Sequence, residues 1–286
     1  MAIATPISKK WATIWTIPLV FKAAEFSSDG TAYDLTGPEG APVIALIHGL
    51  GLHRGMWAPY VERLVQTYRV LSYDFYGHGQ SGKPPATPSL TVYSEQLRML
   101  MDEVAVKRAH IIGFSLGGMI NRRFAMDHPD RALSLTIIAS PHERGAEAQA
   151  LVEERAKNSA AGPGATLDAA IERWFTPEFR AARPDYIDWT RNGVLANDHQ
   201  TYAECRWVLA NGVVELIRPE PPITHPTLVM TAEHDSGSTP AMSHAIASEI
   251  AGAETIIIPG LQHMGLVEDV DAFAALIEKF LKEQTP

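Results

Sequence analysis

Ser115 sits in the run His110-Ile111-Ile112-Gly113-Phe114-Ser115-Leu116-Gly117-Gly118, with a glycine two positions to either side of it. The apolar residues before it read as a buried strand and those after it as the start of a helix, which places the serine in a tight strand-to-helix turn. Such a turn needs small flanking residues and pushes the hydroxyl out above a helix N-terminus. With 21 glycines in 286 residues the spacing alone is a modest signal, and its place between a strand and a helix strengthens it. A serine hydroxyl is a weak nucleophile near neutral pH, so a histidine base and a carboxylate to orient that base must also be present. In sites of this kind both follow later strands, the acid first and the histidine last. Asp235 closes Thr231-Ala232-Glu233-His234-Asp235, and His263 closes Pro259-Gly260-Leu261-Gln262-His263. Glu233 and His234 adjoin Asp235 but leave the loop in other directions. Of the 11 histidines, His263 is the one in a glycine-containing loop between the last strand and the closing helix.

Attack on a carbonyl would build negative charge on its oxygen, which fixed backbone N–H groups stabilise without reorganising. The loop Ile47-His48-Gly49-Leu50-Gly51 leaves an early strand, and its glycines let backbone approach a reacting atom. The expected donors are the N–H groups of Leu50 and of Leu116, the residue after the serine. A second glycine loop, Asp74-Phe75-Tyr76-Gly77-His78-Gly79-Gln80-Ser81, reads as structural. A metal held by Asp74 and His78 would need further ligands at suitable spacing, and the sequence offers none, so neither a metal nor a cofactor is expected.

The elements that must position these residues are short β-branched runs at 42–47, 70–73, 110–112, 133–138, 227–230 and 255–258, read as buried strands. Amphipathic stretches at 57–67, 90–104, 118–128, 241–250 and 270–282 read as helices. Alternating strands and helices imply a parallel sheet covered on both faces, with ligands at the carboxyl ends of the strands. The alternation stops over 141–222, a helical stretch carrying Trp174, Trp189 and Trp207 and ending in Pro219, Pro221 and Pro222. It reads as a helical cap inserted between two parts of one core domain, 1–140 and 223–286, and roofing the sheet's carboxyl edge.

A net charge of -9 disfavours capture by nucleic acid or an anionic membrane surface. One cysteine, Cys205, rules out an intrachain disulfide and reads as a small apolar filler. Lys9 and Lys10 precede an apolar run at 11–21, but Thr13, Thr16 and Pro18 interrupt it, so edge strands are expected there rather than a leader. No stretch has the length of a transmembrane helix, and a cytoplasmic location is expected. The oligomeric state is not readable from the sequence.

The motifs HGLG, DFYGHGQSG, GFSLGGM, AEHD and LQHM together resemble the α/β-hydrolase superfamily from about residue 41 onward. The resemblance implies the α/β-hydrolase fold, a mostly parallel sheet flanked by helices with an inserted helical cap. It also implies a serine-dependent carboxylic ester or lactone hydrolase that works through an acyl-enzyme on a small molecule. In the cap, Trp174-Phe175-Thr176-Pro177-Glu178-Phe179 and Thr201-Tyr202-Ala203-Glu204-Cys205 look like the 3-oxoadipate enol-lactonase group. That group's substrate bears a carboxylate, which implies a cationic cap residue, with Arg180, Arg183, Arg191 and Arg206 as candidates. Arg206, Trp174 and Trp207 are the expected substrate contacts. Dehalogenases and epoxide hydrolases resemble the chain in fold but carry an aspartate where Ser115 stands. Gly49-Leu50-Gly51-Leu52 does not match the Ser-Gly-Pro-Gly-like loop of carbon–carbon bond hydrolases. Thioesterases, amidases and perhydrolases share the same machinery, and a hydrolase-like small-molecule receptor is the non-enzymatic alternative.

Overall fold

A computed structural model describes residues 24–284. One sheet contains β1 (Glu25–Phe26), β2 (Ala32–Thr36), β3 (Val43–Ile47), β4 (Arg69–Tyr73), β5 (Ala109–Phe114), β6 (Ala132–Ile138), β7 (Thr227–Ala232) and β8 (Glu254–Ile258). Its order is β1-β2-β4-β3-β5-β6-β7-β8, with β2 antiparallel to both β1 and β4 and every other pair parallel. All six residues of β5 and all six of β7 are buried, the mark of parallel strands covered on both faces. The six expected strands are all present. The short strand β2 was missed because only its first two residues are buried and a turn at Gly30 and Gly37, both at positive φ, brackets it closely. The edge strands expected at 11–21 lie outside the described residues.

The flanking helices are α1 (Ala58–Leu64), α2 (Leu90–Glu103), α3 (Leu116–Asp127), α9 (Pro240–Ser248), the single turn α10 (Gly265–Glu268) and α11 (Val270–Gln284). Two packed pairs, α2 with α3 and α1 with α11, cover the sheet. The sequence starts these helices locally. Ser89 accepts from the Val92 N–H at 3.2 Å, and Thr239 accepts from the Met242 N–H at 3.3 Å ahead of Pro240. Leu90, Tyr93, Leu97, Leu100 and Met101 then form the buried stripe of α2 at helical spacing. Between β6 and β7 the chain makes α4 (Ala146–Asn158), α5 (Leu167–Trp174), α6 (Pro177–Ala182), α7 (Pro184–Leu195) and α8 (His199–Asn211). Strand order reverses at β3 and β5: β3 leads to β4 on one side, and the chain then crosses to β5 on the other. The carboxyl ends of these two strands border the crevice where ligands of open α/β sheets bind.

An ion cluster ties the loops after β3 and β4 together. Arg54, buried, donates to Asp74 Oδ2 at 2.5 Å from Nη1, to Asp34 Oδ2 at 2.7 Å from Nε and to Gln80 Oε1 at 2.8 Å from Nη2. The Asp74 carboxylate also accepts the N–H groups of Arg54 at 2.6 Å and Gln80 at 2.9 Å. A Cβ at Gly79 would stand 2.3 Å from this carboxylate, which explains the glycine at φ +54°. The loop 74–81 is therefore held by charge-assisted hydrogen bonds, consistent with its structural reading.

Four histidines are buried in uncharged form, His48, His53 and His78 near these loops and His110 at the amino end of β5. Burial lowers His48 to about 3, with Gly49 opposing, and lowers His53 and His110 each to about 4; it takes His78 well below the usual value.

Removing Arg54 leaves Asp74 charged and buried, so Arg54→Met should lower stability by about 3–5 kcal/mol, read from the urea midpoint. The histidines set an acid limit. Below about pH 6.5 the unfolded chain takes up protons that the folded chain refuses until about pH 3 to 4. Stability should therefore be fully present above about pH 6.5 and fall as pH drops through that window. His110→Gln should shrink the difference in unfolding free energy between pH 7.5 and pH 5, read from urea melts, by about 1.4 kcal/mol per pH unit at most. An unchanged difference would show that His110 titrates alike in both states.

Candidate active site

The turn after β5 is built by exclusion of side chains. A Cβ at Gly113 would lie 2.2 Å from the Gly117 carbonyl oxygen, and one at Gly117 would lie 2.3 Å from that of Ile47. Ser115, between them, stands at φ +56°, a region costing a non-glycine residue about 1–3 kcal/mol. Its N–H donates to Ile138 O of the neighbouring strand at 2.8 Å, and its carbonyl accepts the Gly118 N–H at 3.0 Å. The neighbours thus over-determine the strained turn, and the serine is held at the mouth of α3.

Asp235 and His263 come from the loops after β7 and β8, two and three strands along the sheet from β5. His263 Nδ1–H donates to Asp235 Oδ2 at 2.7 Å. Asp235 Oδ1 accepts the N–H groups of Gly237 at 2.8 Å and Ser238 at 2.9 Å, so the buried carboxylate is satisfied on both oxygens. Held by Nδ1, the imidazole presents Nε2 as the free acceptor. Ser115, Asp235 and His263 line one cavity. Among the described residues no hydrogen bond joins the Ser115 hydroxyl to His263; such bonds are commonly long without substrate.

Leu50 reaches the same cavity from the end of β3, and Leu116 opens α3 directly after the serine. Neither N–H donates to a protein group among the described residues. The loop carrying Leu50 is fixed from behind by His48, whose Nδ1–H donates to Gly49 O at 2.8 Å while Nε2 accepts the Phe75 N–H at 3.2 Å. A protonated His48 could not accept, so its strongly lowered pKa and its role agree. Gly49 must lack a side chain, since a Cβ would stand 2.9 Å from the Phe114 ring.

The helices between β6 and β7 close the cavity, about 110 Å³ in volume, and are bonded to its rim. Asn197 Nδ2 donates to Gly51 O at 3.1 Å, and the Met264 N–H, next to His263, donates to Trp174 O at 2.8 Å. The Thr176 N–H donates to the buried Glu268 at 2.8 Å.

The cavity wall corrects part of the sequence reading. Trp174 lines it, with its ring 6.3 Å from that of His263, and Arg206 lines it as a buried residue. Trp207, the next residue along α8, points away and is 47% exposed, so it is not a wall residue. Arg183 is bonded to Asp185 at 2.7 Å and Arg191 to Asp168 at 2.5 Å, and neither they nor Arg180 reach the cavity. Three arginines that the sequence reading passed over, Arg144, Arg155 and Arg173, stand in the wall instead. For Arg155 the signal was available only as helical phase, since Val152 and Arg155 share a face of α4 at a spacing of three. Cys205 is buried beside the Tyr93 hydroxyl at 2.6 Å, and burial raises its thiol to about 12.

A profile described as the Alpha/beta hydrolase family matches residues 44–276. The chain is similar to the 3-oxoadipate enol-lactonase 2 of Acinetobacter baylyi, at 27% identity over 87% of this chain and 92% of the relative. It is also similar to the (E)-2-((N-methylformamido)methylene)succinate hydrolase of the same organism, at 25% identity over 86% and 92% of the two chains. Among solved structures, the enol-lactonase from Burkholderia xenovorans superposes with a TM-score of 0.80 at 30% identity, covering 88% of this chain and 96% of that one. An eight-stranded, mostly parallel sheet with its serine elbow at the strand-order reversal accords with that profile, and the chain belongs to the alpha/beta hydrolase family.

Proposed function

We propose that this hydrolase cleaves small carboxylic esters or lactones through an acyl-enzyme on Ser115. The observation that carries the reading is the carboxylate-held imidazole of His263, 2.7 Å from Asp235, sharing one cavity with a serine strained into an elbow. His263 Nε2 would take the Ser115 proton as the hydroxyl oxygen bonds to the substrate carbonyl carbon. Asp235 would stabilise the imidazolium so formed. The carbonyl oxygen, now negative, would be met by the Leu50 and Leu116 N–H groups, and collapse of the adduct would expel the alcohol with the proton from His263. Water, deprotonated by the same histidine, would then attack the acyl carbon and return the serine hydroxyl. No step calls for a metal or cofactor.

The helices over 141–222 act in this reading as a cap that excludes water and shapes the substrate pocket, with Trp174 beside the histidine. At roughly 10–15 Å³ per water-sized position, the cavity takes a substrate portion of on the order of ten non-hydrogen atoms. The enol-lactonases among its relatives support a lactone as well as an open-chain ester.

Hydrolysis of p-nitrophenyl butyrate should show a burst of nitrophenolate equal to the enzyme present if deacylation is slower than acylation. Ser115→Ala should lose about 10⁴-fold or more in kcat and gain no acyl mass on incubation with substrate. Asp235→Asn should lose about 10³- to 10⁴-fold while remaining folded by circular dichroism. Turnover retained in Ser115→Ala would remove the serine mechanism.

A further inference from the structure

The part of the cavity formed by α4, α5 and α8 and the segment before α4 carries Arg144, Arg155, Arg173 and Arg206. The only acidic residue in the whole lining is Asp235, already bonded to His263. Among the described residues none of the four guanidinium groups has a carboxylate partner. Arg144 Nη1 donates to Ala210 O at 3.2 Å and Gln149 Oε1 at 3.4 Å, and Arg173 Nη1 donates to Ala169 O at 2.8 Å. Arg206 reaches only the Tyr202 hydroxyl, at 3.5 Å, although it is buried. Four like charges are thus gathered in a chain whose net charge is -9.

Several arginines outside the cavity are neutralised by a carboxylate, among them Arg54 by Asp74, Arg63 by Glu278, Arg98 by Asp102 and Arg123 by Asp127. Buried Arg122, which is not in the lining, is held instead by the Gly118 and Pro141 carbonyls and the Ser140 hydroxyl. The cavity is distinguished by gathering four guanidinium groups in one lining, held against their own repulsion. Burial pulls the Arg173 guanidinium down from its ordinary value, and Arg155 and Arg206 add to the effect. Burial does the same to Arg144. A group of charges that is partly desolvated and mutually repelling is stabilised by a ligand that brings the opposite charge, and each guanidinium offers a planar fork to a carboxylate or phosphate.

We infer that this cluster is a polyanion subsite and that the substrate carries at least two acidic groups besides the bond that is cleaved. This rests on the same cavity being the hydrolytic one. One acid group would leave most of the guanidinium groups unneutralised, whereas two or three acid groups on one short chain would bring a charge to more than one of them. The uncharged ester or lactone carbonyl is then left for Ser115, on the side of Leu50 and His263. Hydrolysis adds a further acid, so the product would bind here as well and compete with substrate.

A charge series separates this from a general esterase: methyl butyrate, monomethyl glutarate and monomethyl tricarballylate carry none, one and two free carboxylates, and their hydrolysis is followed as acid release in a pH-stat. The expected order of kcat/KM rises with charge, and the advantage of the dianion shrinks as salt is raised. In Arg155→Gln and in Arg173→Ala the ratio of kcat/KM for the dianion over the neutral ester should fall by about ten- to a hundredfold, with Arg173→Lys keeping part of it. Calorimetry of tricarballylate with Ser115→Ala protein reads the subsite without chemistry, and binding should weaken by a similar factor when Arg155→Gln is added. Hydrolysis with no charge preference, or ratios unmoved in both arginine variants, overturns the subsite and leaves the hydrolase reading standing. Arginine-dependent tricarballylate binding with no hydrolysis of any ester does the reverse.

Discussion

At the carboxyl end of β5 there is no room for a side chain, and most of the site follows from that. Gly113 and Gly117 face each other so closely that either Cβ would collide with a backbone carbonyl, and Gly117 is pressed equally hard against the end of β3. The chain can make this crossing only by leaving the strand abruptly and starting α3 at once, which forces Ser115 into its left-handed conformation. The same contact sets the distance between the serine turn and the glycine loop after β3, so Ser115 and the Leu50 N–H are positioned by one steric fact. The strain at Ser115 is sustained by the hydrogen bonds around it and by the buried strands that supply them.

Electrostatics divides the surroundings of the cavity in two. Behind the loop after β3, histidines are kept neutral by burial and serve as directional donors and acceptors, and the one strong charge pair, Arg54 with Asp74, is internally satisfied. On the cap side, positive charge is left uncompensated. The cavity thus presents dipoles on one side and full charges on the other. The hydrogen bonds from Asn197 to Gly51 and from Met264 to Trp174 couple the helical roof to both reactive loops, which makes the roof part of the geometry and not only a cover.

The order of the parallel strands and the placement of Ser115, Asp235 and His263 at strand ends were legible because apolar runs of fixed length and glycine turns are local signals. What stayed hidden depended on rotation about helix axes or on partners distant in sequence. Arg206 and Trp207 are neighbours on α8, and a helix turns about 100° per residue, so which of the two faces the cavity depends on a helix rotation that the sequence alone does not specify. Tyr202, Arg206 and Leu209 share the inward face, and Trp207 falls on the outward one. Arg144, Arg155 and Arg173 escaped notice since each looks like an ordinary surface cation until the helices are docked. The strand β2 was missed because its residues are only half covered, leaving neither a continuous apolar run nor a clean alternation.

Sheet order also sets how far along the chain the parts of the site lie from the turn that carries the serine. Its elbow is sterically complete once β3, β5 and β6 have paired, all within the first half of the chain, whereas the histidine and its carboxylate arrive with the last two strands. A chain that stops before β7 would thus carry the strained turn without the Asp235–His263 pair, and in the proposed mechanism its hydroxyl would be an ordinary alcohol. The site is therefore a long-range product of the fold, to which each half of the chain supplies a part that the other lacks.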